Sequence, residues 1–231
     1  MSHPLLDHPF ISQRYFFPRA QPLPDGFPVS TSGGTIACWR SAPPSDRPVL
    51  VHFHGNGEIV HDWTGDFVSW VQQLGYEVFL AEYRGYGQSE GTPQLAAMLE
   101  DVQHIVKAVG VPPSQQVAFG RSIGSLYAAE MVHRFPETAG LVIESGIHDL
   151  LERLLLRVHP DEMGCTESDL ADAVQLHFNQ QSKLAGFTNP SLFLHAEQDH
   201  LVGVHHAIAN HAASGATDKT LVRFPRGDHN S

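Results

Sequence analysis

The sequence Gly120-Arg121-Ser122-Ile123-Gly124 places a serine between two glycines, each two residues away. Residues 116–119 before it are mostly apolar and predict a strand, and residues 125–132 after it show helical spacing of apolar side chains. A serine at such a strand-to-helix corner projects its hydroxyl out of the backbone, and only small neighbours fit beside the turn. The flanking elements favour a nucleophilic Ser122 over an ordinary turn with an incidental serine.

A serine hydroxyl becomes a nucleophile only when a base takes its proton, and an acid must orient that base. In chains with this corner the acid and then the histidine follow the serine. Asp199 comes just after an apolar run at residues 191–196 and is the candidate acid. Glu197 and Glu144 are weaker alternatives, and Asp199 could instead be a solvated loop residue.

The candidate base is His229, the one histidine after the last predicted strand at residues 220–224. The chain has 16 histidines, so position in the fold must decide among them. The alternatives are His195, His200, His205 and His206.

Backbone amides are expected to hold the negative charge that develops on a substrate carbonyl oxygen. One candidate is the amide of Ile123, directly after the serine. The other is the amide of Asn56, in the run His54-Gly55-Asn56-Gly57 that follows a strand at residues 49–53. That run could also be a plain glycine turn. The glycine-rich loop at 83–91 is at least as well explained as a structural turn.

The elements that must position these residues alternate between strands and helices. We expect an extended segment at 11–17, a turn at 29–34 and an amphipathic helix at 59–74 with Trp63, Phe67, Trp70 and Leu74 on its apolar face. The other predicted strands and helices are strands at 35–40, 77–81 and 139–144 and helices at 95–109 and 204–213. This alternation predicts the α/β class, with a mostly parallel central sheet flanked by helices.

Residues 147–187 interrupt the alternation with two apolar helical stripes. They predict a small helical lid inserted over one edge of the sheet, or, equally, helices that pack as part of the core. The rest of residues 1–231 is interpreted as one domain with this insertion.

Composition excludes several classes of function. Of the 231 residues, 42% are hydrophobic and 17% charged, which is typical of a globular domain, and the formal net charge of −11 argues against nucleic-acid binding through a broad basic surface. Cys38 and Cys165 are far apart and predict a reduced, cytoplasmic protein without a zinc site. We expect no signal peptide, no transmembrane segment, no metal and no cofactor, and the oligomeric state is left open.

With these motifs in order, the sequence resembles the α/β-hydrolase superfamily, and within it small intracellular serine hydrolases of the prolyl-oligopeptidase-type esterase and acyl-protein thioesterase-like groups. The resemblance covers the chain from about residue 35 to its end. It implies the α/β-hydrolase fold and a Ser-His-Asp triad of Ser122, His229 and Asp199. Members usually have a helix after the catalytic histidine, whereas two residues follow His229 here, so we expect that histidine to be less firmly held.

The function expected from this resemblance is hydrolysis of small carboxylic esters or thioesters through an acyl-enzyme on Ser122. An amidase or peptidase that uses the same triad is the first alternative. A catalytically inactive relative that binds a partner or small ligand is the second. The leucines of the 147–187 insertion suggest an apolar acyl or aromatic group in the substrate.

Overall fold

An eight-stranded, mostly parallel sheet forms the centre of the molecule. The computed structural model describes residues 2–230, so Met1 and Ser231 lie outside the described residues. The strands are β1 (Phe27–Thr31), β2 (Gly34–Arg40), β3 (Val49–Phe53), β4 (Glu77–Ala81), β5 (Gln116–Arg121), β6 (Gly140–Glu144), β7 (Ser191–Ala196) and β8 (Lys219–Phe224). Their order in the sheet is β1-β2-β4-β3-β5-β6-β7-β8. Strands β3 to β8 are parallel to one another, whereas β2 is antiparallel to both β1 and β4. The predicted α/β class is therefore confirmed.

Eight α-helices and three short 3₁₀ segments connect these strands in the described part of the chain. Residues 2–230 include no helix that is both long enough and apolar enough to cross a lipid bilayer. The helices are α1 (Pro9–Tyr15), α2 (Asp66–Gln73), α3 (Met98–Val109), α4 (Gly124–Arg134), α5 (Leu150–Leu155), α6 (Glu167–Phe178), α7 (Gln180–Ala185) and α8 (Val204–Ala213). The 3₁₀ segments are Val60–Trp63, Pro113–Gln115 and Pro160–Met163.

The first part of the chain is more regular than the sequence predicted. The segment expected to be extended, 11–17, is mostly the helix α1. His8 caps its start by accepting a hydrogen bond from the Phe10 amide, and Pro9 occupies the first helical position, where its missing N–H is not needed. The turn expected over residues 29–34 is shorter than predicted, because β1 continues to Thr31 and pairs with β2, which leaves Ser32 and Gly33 as the turn.

Alternate residues of the central strands enter two separate cores. Val49, Val51 and Phe53 of β3 lie in the large core with residues of α3 and α4, whereas Leu50 packs against the smaller core that contains α2. This alternation is what the pleat of a strand produces. Each fully buried side chain of this kind contributes about 1.5–3 kcal/mol.

The helix predicted over residues 59–74 is broken at Gly65, which precedes α2. Because of the break, the predicted apolar residues do not all lie on one buried face. Phe67 packs against the smaller core, whereas Trp70 is 63% and Leu74 76% exposed. Trp70 borders an open apolar groove of about 890 Å³ beside Phe119 of β5. This face of the sheet is thus covered less completely than the face under α4.

Residues 147–187 form α5, a 3₁₀ segment, α6 and α7 instead of two helices. Helix α7 packs against α4 and α8, and a buried ion pair of 2.5 Å joins Lys183 to Glu130 of α4. Of the two predictions for residues 147–187, a lid or core helices, the second therefore describes α7. Whether the remainder of the segment acts as a lid stays a prediction.

Candidate active site

Ser122 lies at the corner between β5 and α4, where its backbone has a φ of +52°. Its amide donates a hydrogen bond of 2.9 Å to the Glu144 carbonyl at the end of β6, which anchors the corner to the sheet. Both glycines of the motif are required by close approach of the chain. A Cβ on Gly124 would overlap the Phe53 carbonyl, and one on Gly120 would lie 2.6 Å from the Gly124 oxygen. The sharp turn that the sequence predicted is therefore present, and these close contacts explain why both flanking positions are glycine.

The structure brings Ser122, His229 and Asp199 together. The Oγ atom of Ser122 lies 3.0 Å from Nε2 of His229, and Nδ1 of His229 lies 2.7 Å from Oδ2 of Asp199. All three side chains are buried. This chain of contacts has the geometry of a nucleophile, a base and an orienting acid.

Asp199 sits in the loop after β7 and is held by two backbone amides. Its Oδ1 accepts hydrogen bonds from Leu201 at 2.9 Å and Val202 at 2.8 Å. Burial alone would raise the pKa of Asp199, but the hydrogen bonds from His229 and from these amides hold that pKa below its usual value. The carboxylate therefore remains charged beside the imidazole.

The alternative acids are engaged elsewhere. Glu197 pairs with Arg223 at 2.6 Å on the surface. Glu144 lies 3.3 Å from Arg121, and burial raises its pKa.

The alternative bases also have other partners. Nε2 of His195 lies 2.7 Å from the Val202 carbonyl, and burial lowers the pKa of His195. His200 is exposed. His205 lies 3.2 Å from Glu152. Within residues 2–230, His229 is the histidine whose ring contacts Ser122.

The two predicted oxyanion donors border the same cavity as Ser122. Within residues 2–230, neither the Ile123 amide at the start of α4 nor the Asn56 amide after β3 donates a hydrogen bond. The Asn56 side chain fixes its loop, because Oδ1 accepts from the Tyr86 hydroxyl at 2.7 Å and from the Phe17 amide at 3.1 Å. Both amides are therefore available to a ligand oxygen.

The buried imidazole of His54 supports the loop that contains Asn56. His54 Nε2 lies 2.6 Å from Glu82, and its Nδ1 lies 2.8 Å from the Gly55 carbonyl. The Tyr83 hydroxyl donates to the His54 carbonyl at 2.8 Å. The glycine-rich loop at 83–91 therefore serves as a structural support for the candidate site.

Arg121, inside the serine motif, connects three parts of the site. Its guanidinium forms ion pairs with Glu58 and Glu144 and donates to the backbone carbonyl of His229 at 2.5 Å. A further contact of 3.3 Å reaches Asn230. These contacts hold the segment that carries His229, although it lies close to the end of the sequence.

The cavity in front of Ser122 has a volume of about 170 Å³. Apolar side chains of Ile147, Leu201 and Val202 form part of its wall, and Tyr15 and Phe17 reach it from the N-terminal segment. Three arginines also line it, namely Arg121, Arg153 and Arg157, whereas no acidic residue of the described chain does.

A cluster of Glu152, His205 and His206 has the spacing of a metal site but does not fit one. Nδ1 of His206 accepts hydrogen bonds from the amides of His148 at 3.2 Å and Asp149 at 3.3 Å. Its ring proton must then sit on Nε2, which faces Glu152 at 3.4 Å. Burial lowers the pKa of His206 to about 4, so the ring is neutral at pH 7. The cluster joins α5 to α8 by hydrogen bonds.

A family model described as serine aminopeptidase, S33, matches residues 44–161, just over half of the chain. The chain belongs to this family of the α/β-hydrolase superfamily. Among the relatives of this chain is an uncharacterized protein, YfhR, of Escherichia coli K12. It is 27% identical over an alignment of 203 positions that covers 82% of this chain and 66% of YfhR. The lysophosphatidylserine lipase ABHD12 of Danio rerio is 29% identical over an alignment of 175 positions that covers 68% of this chain and 45% of that protein. The chain thus spans about two thirds or less of the length of these two relatives.

Solved α/β-hydrolase structures share the fold. Est1E from Butyrivibrio proteoclasticus, determined with ferulic acid bound, superimposes with a TM-score of 0.72 at 17% identity, covering 88% of this chain and 90% of that one. At this identity the similarity concerns the fold.

Two features of this hydrolase site had no clear signal in the sequence. Arg121 lies between Gly120 and Ser122 in the serine motif, and the sequence alone gave it no role, although a charged residue inside a buried corner requires partners. The pairing of His54 with Glu82 joins residues 28 positions apart on loops after different strands. Only the sheet order shows that these two loops are neighbours.

Proposed function

We propose that this chain is a serine hydrolase that cleaves carboxylic esters or thioesters through an acyl-enzyme on Ser122. The observation that carries the proposal is the 3.0 Å contact between Ser122 Oγ and His229 Nε2, with Asp199 on the other ring nitrogen. A hydroxyl that faces an oriented imidazole can lose its proton as it attacks a carbonyl carbon. Membership in a hydrolase family supports the same reaction class.

The reaction follows from the positions of these atoms. Ser122 Oγ attacks the carbonyl carbon while His229 Nε2 takes its proton, and Asp199 stabilises the imidazolium that forms. The amides of Ile123 and Asn56 donate to the carbonyl oxygen as it becomes negative. His229 then protonates the departing alcohol or thiol. Water, deprotonated by His229, attacks the acyl-enzyme. The second intermediate then collapses: its bond to Ser122 Oγ breaks, His229 returns the proton to that oxygen, and the acid is released.

Cleavage of amides with the same residues is the second candidate, because the family model carries the description serine aminopeptidase. An aminopeptidase must recognise the ammonium group of its substrate, and a carboxylate is the usual partner of an ammonium. The cavity beside Ser122 is lined by arginines and by no acidic residue of the described chain. We therefore favour the hydrolysis of esters or thioesters over the removal of amino-terminal residues from peptides.

Labelling with a fluorophosphonate probe and peptide mapping test this proposal. We expect modification of Ser122 in the wild-type protein and none in the Ser122→Ala or His229→Ala variants. The exposed residue Ser69 on α2 provides a matched control, since Ser69→Ala removes a hydroxyl far from the corner. Turnover of p-nitrophenyl butyrate should fall by about 10⁴-fold or more in Ser122→Ala.

The alternatives give different results. A matched pair of ester and anilide substrates with the same acyl group separates the esterase from the amidase, and a higher kcat/KM for the anilide would reverse our order. A folded wild-type protein that neither reacts with the probe nor turns over any ester or amide would leave the inactive, ligand-binding relative as the function.

A further inference from the structure

Arg153 of α5 and Arg157 of the turn after it border the cavity that contains Ser122 and His229. The two arginines are four residues apart, so they lie on the same side of this helical segment. Arg153 is half-buried and Arg157 is exposed. Neither residue is needed for the proton transfers proposed above.

Both guanidinium groups are without a hydrogen bond or an ion pair in residues 2–230. This is unusual in a chain with 25 acidic and 14 basic residues. Most other arginines of the described chain have a carboxylate partner: Arg14, Arg19, Arg47, Arg84, Arg121, Arg134 and Arg223. The five N–H donors of Arg153 and of Arg157 are therefore available to a ligand.

Two aromatic side chains of the N-terminal segment, Tyr15 and Phe17, lie near the guanidinium groups of Arg153 and Arg157. The Arg157 guanidinium stacks over the Phe17 ring, 5.2 Å from its centre, and Phe17 itself lines the cavity. Burial raises the pKa of Tyr15, and the positive charges of Arg153 and Arg157 oppose that rise, which locates both charges near the same wall. Stacking on an aromatic face holds a guanidinium while leaving its edge free to donate hydrogen bonds.

The charged side chains that line the cavity are arginines, although the protein as a whole is negative. Glu58 and Glu144 pair with Arg121, the third arginine of the lining, so its charge is compensated. Arg153 and Arg157 have no ion-pair partner within residues 2–230, although the charge of the neighbouring Glu152 interacts with that of Arg153. The formal net charge of −11 would otherwise disfavour the approach of an anion, and a local pair of free arginines reverses that effect at the site.

We propose that Arg153 and Arg157 bind an anionic group, a carboxylate or a phosphate, on the substrate that Ser122 attacks. This inference rests on the proposed function. The fork of a guanidinium matches carboxylate and phosphate oxygens in a bidentate manner. The remaining wall is apolar at Ile147, Leu201 and Val202, and the volume of about 170 Å³ admits a short apolar portion. The substrate class is therefore a small ester or thioester with an anionic group on its acyl part or on its leaving group.

Two matched pairs of substrates test the proposal and distinguish the two positions of the anion. The acyl arm compares p-nitrophenyl pentanoate with the mono-p-nitrophenyl ester of glutaric acid, in which a carboxylate replaces the terminal methyl group. The leaving-group arm compares butyrylglycerol with butyrylglycerol phosphate. In the arm that matches the natural position, we expect the wild-type protein to prefer the anionic ester by about tenfold or more in kcat/KM, with a preference that decreases as salt is added.

The variants are Arg153→Gln, Arg157→Gln and the double variant, with Arg47→Gln as the control. Arg47 precedes β3, at the edge of the sheet opposite the site, and is 59% exposed. We expect the double variant to lose the preference by about tenfold, each single variant to lose part of it, and Arg47→Gln to keep it. An unchanged ratio of anionic to neutral ester in the double variant, in both arms, would overturn the proposal while leaving the esterase intact.

A binding measurement covers the case in which no ester is hydrolysed. Calorimetric titration of the Ser122→Ala variant with glutarate and with butyl phosphate reports anion binding without turnover. We expect at least one of them to bind, and the dissociation constant to rise about tenfold when Arg153 and Arg157 are also replaced by Gln. Absence of binding, or binding that is indifferent to these two arginines, would reject the anion site. Failure of the esterase alone would leave this result unaffected.

Discussion

His54 and His229 are buried imidazoles that each lie within 2.7 Å of a carboxylate oxygen, and they differ in the partner of their second ring nitrogen. His54 Nε2 lies 2.6 Å from Glu82, and His229 Nδ1 lies 2.7 Å from Asp199. The other nitrogen of His54 faces a carbonyl, that of Gly55, at 2.8 Å. The other nitrogen of His229 faces the hydroxyl of Ser122.

These partners decide what each ring can do. Both nitrogens of His54 have acceptors, so both carry a hydrogen in the charged form that this environment favours. Burial would lower the pKa of His54, but the charge and hydrogen bond of Glu82 raise it above its usual value. His229 faces one acceptor and one hydroxyl, so its Nε2 can keep a lone pair and accept a proton. A histidine–carboxylate pair therefore becomes a candidate base only when the second nitrogen faces a group that can lose a proton.

The largest effect is expected from Asp199→Asn, which removes the acceptor that orients His229. An amide at this position favours the ring tautomer with the hydrogen on Nε2, which cannot take the serine proton. We expect kcat for p-nitrophenyl butyrate to fall by about 10⁴-fold. The matched control is Glu197→Gln. Glu197 lies two residues before Asp199 in the sequence and forms an exposed ion pair with Arg223. If Asp199→Asn keeps most of its activity, Asp199 does not orient the base.

The corresponding change in the other pair, Glu82→Gln, should reduce stability more than it affects proton transfer. It leaves a buried His54 without its counter-charge, and breaking such a pair costs about 3 kcal/mol. Urea unfolding of the variant measures this cost. Glu77→Gln is the control, because Glu77 pairs with the exposed Arg47. A midpoint equal to that of the wild type would show that His54 and Glu82 do not form a charged pair.

The pH dependence of stability should also separate the two pairs, with a smaller effect. The pKa of His54 is raised in the folded state, so its stabilisation is complete below its unfolded pKa of about 6.5 and is lost as pH rises through the folded pKa. The pKa of Asp199 is lowered, so its stabilisation is present above its unfolded pKa of about 3.9 and is lost as pH falls through the folded pKa.

Urea midpoints compared between the wild type and each variant across pH measure these contributions. The difference between wild type and Glu82→Gln should shrink from pH 6 towards alkaline pH. The difference between wild type and Asp199→Asn should shrink towards acid pH. Parallel curves for all three proteins would contradict this assignment of the two charges.

The smallest effect is expected from Tyr86→Phe, which loosens the loop that His54 supports. The Tyr86 hydroxyl donates to Asn56 at 2.7 Å and accepts from the Phe17 amide at 2.9 Å. Its loss should cost about 1 kcal/mol in stability and lower kcat by several-fold through a less fixed Asn56 amide. Tyr76→Phe, at a half-buried tyrosine outside this loop, serves as the control. Equal kcat values for the two variants would show that the Tyr86 hydroxyl does not help to position the Asn56 amide.

Local patterns predicted most of the strands and the placement of the candidate site. The pattern at Gly120, Ser122 and Gly124 depends on steric limits within one turn, and the structure shows the close approach that requires both glycines. The helix expected over residues 59–74 is broken at Gly65, and the spacing of its apolar residues did not reveal the break. Trp63 and Phe67 pack against the smaller core, whereas Trp70 and Leu74 are exposed. The N-terminal helix α1 was missed because its seven residues carry only two buried positions, Ile11 and Tyr15.

By itself, the sequence determined the α/β class, the serine corner and the order in which an acid and a histidine follow it. These depend on spacing along the chain, which the sequence displays directly. Only the tertiary structure decided which imidazole faces the hydroxyl, which two carboxylates pair with Arg121, and that Arg153 and Arg157 have no such partner in the described residues. Those outcomes depend on which loops meet at the carboxyl edge of the parallel strands. Side chains from distant parts of the chain become neighbours there, and no periodicity records such contacts.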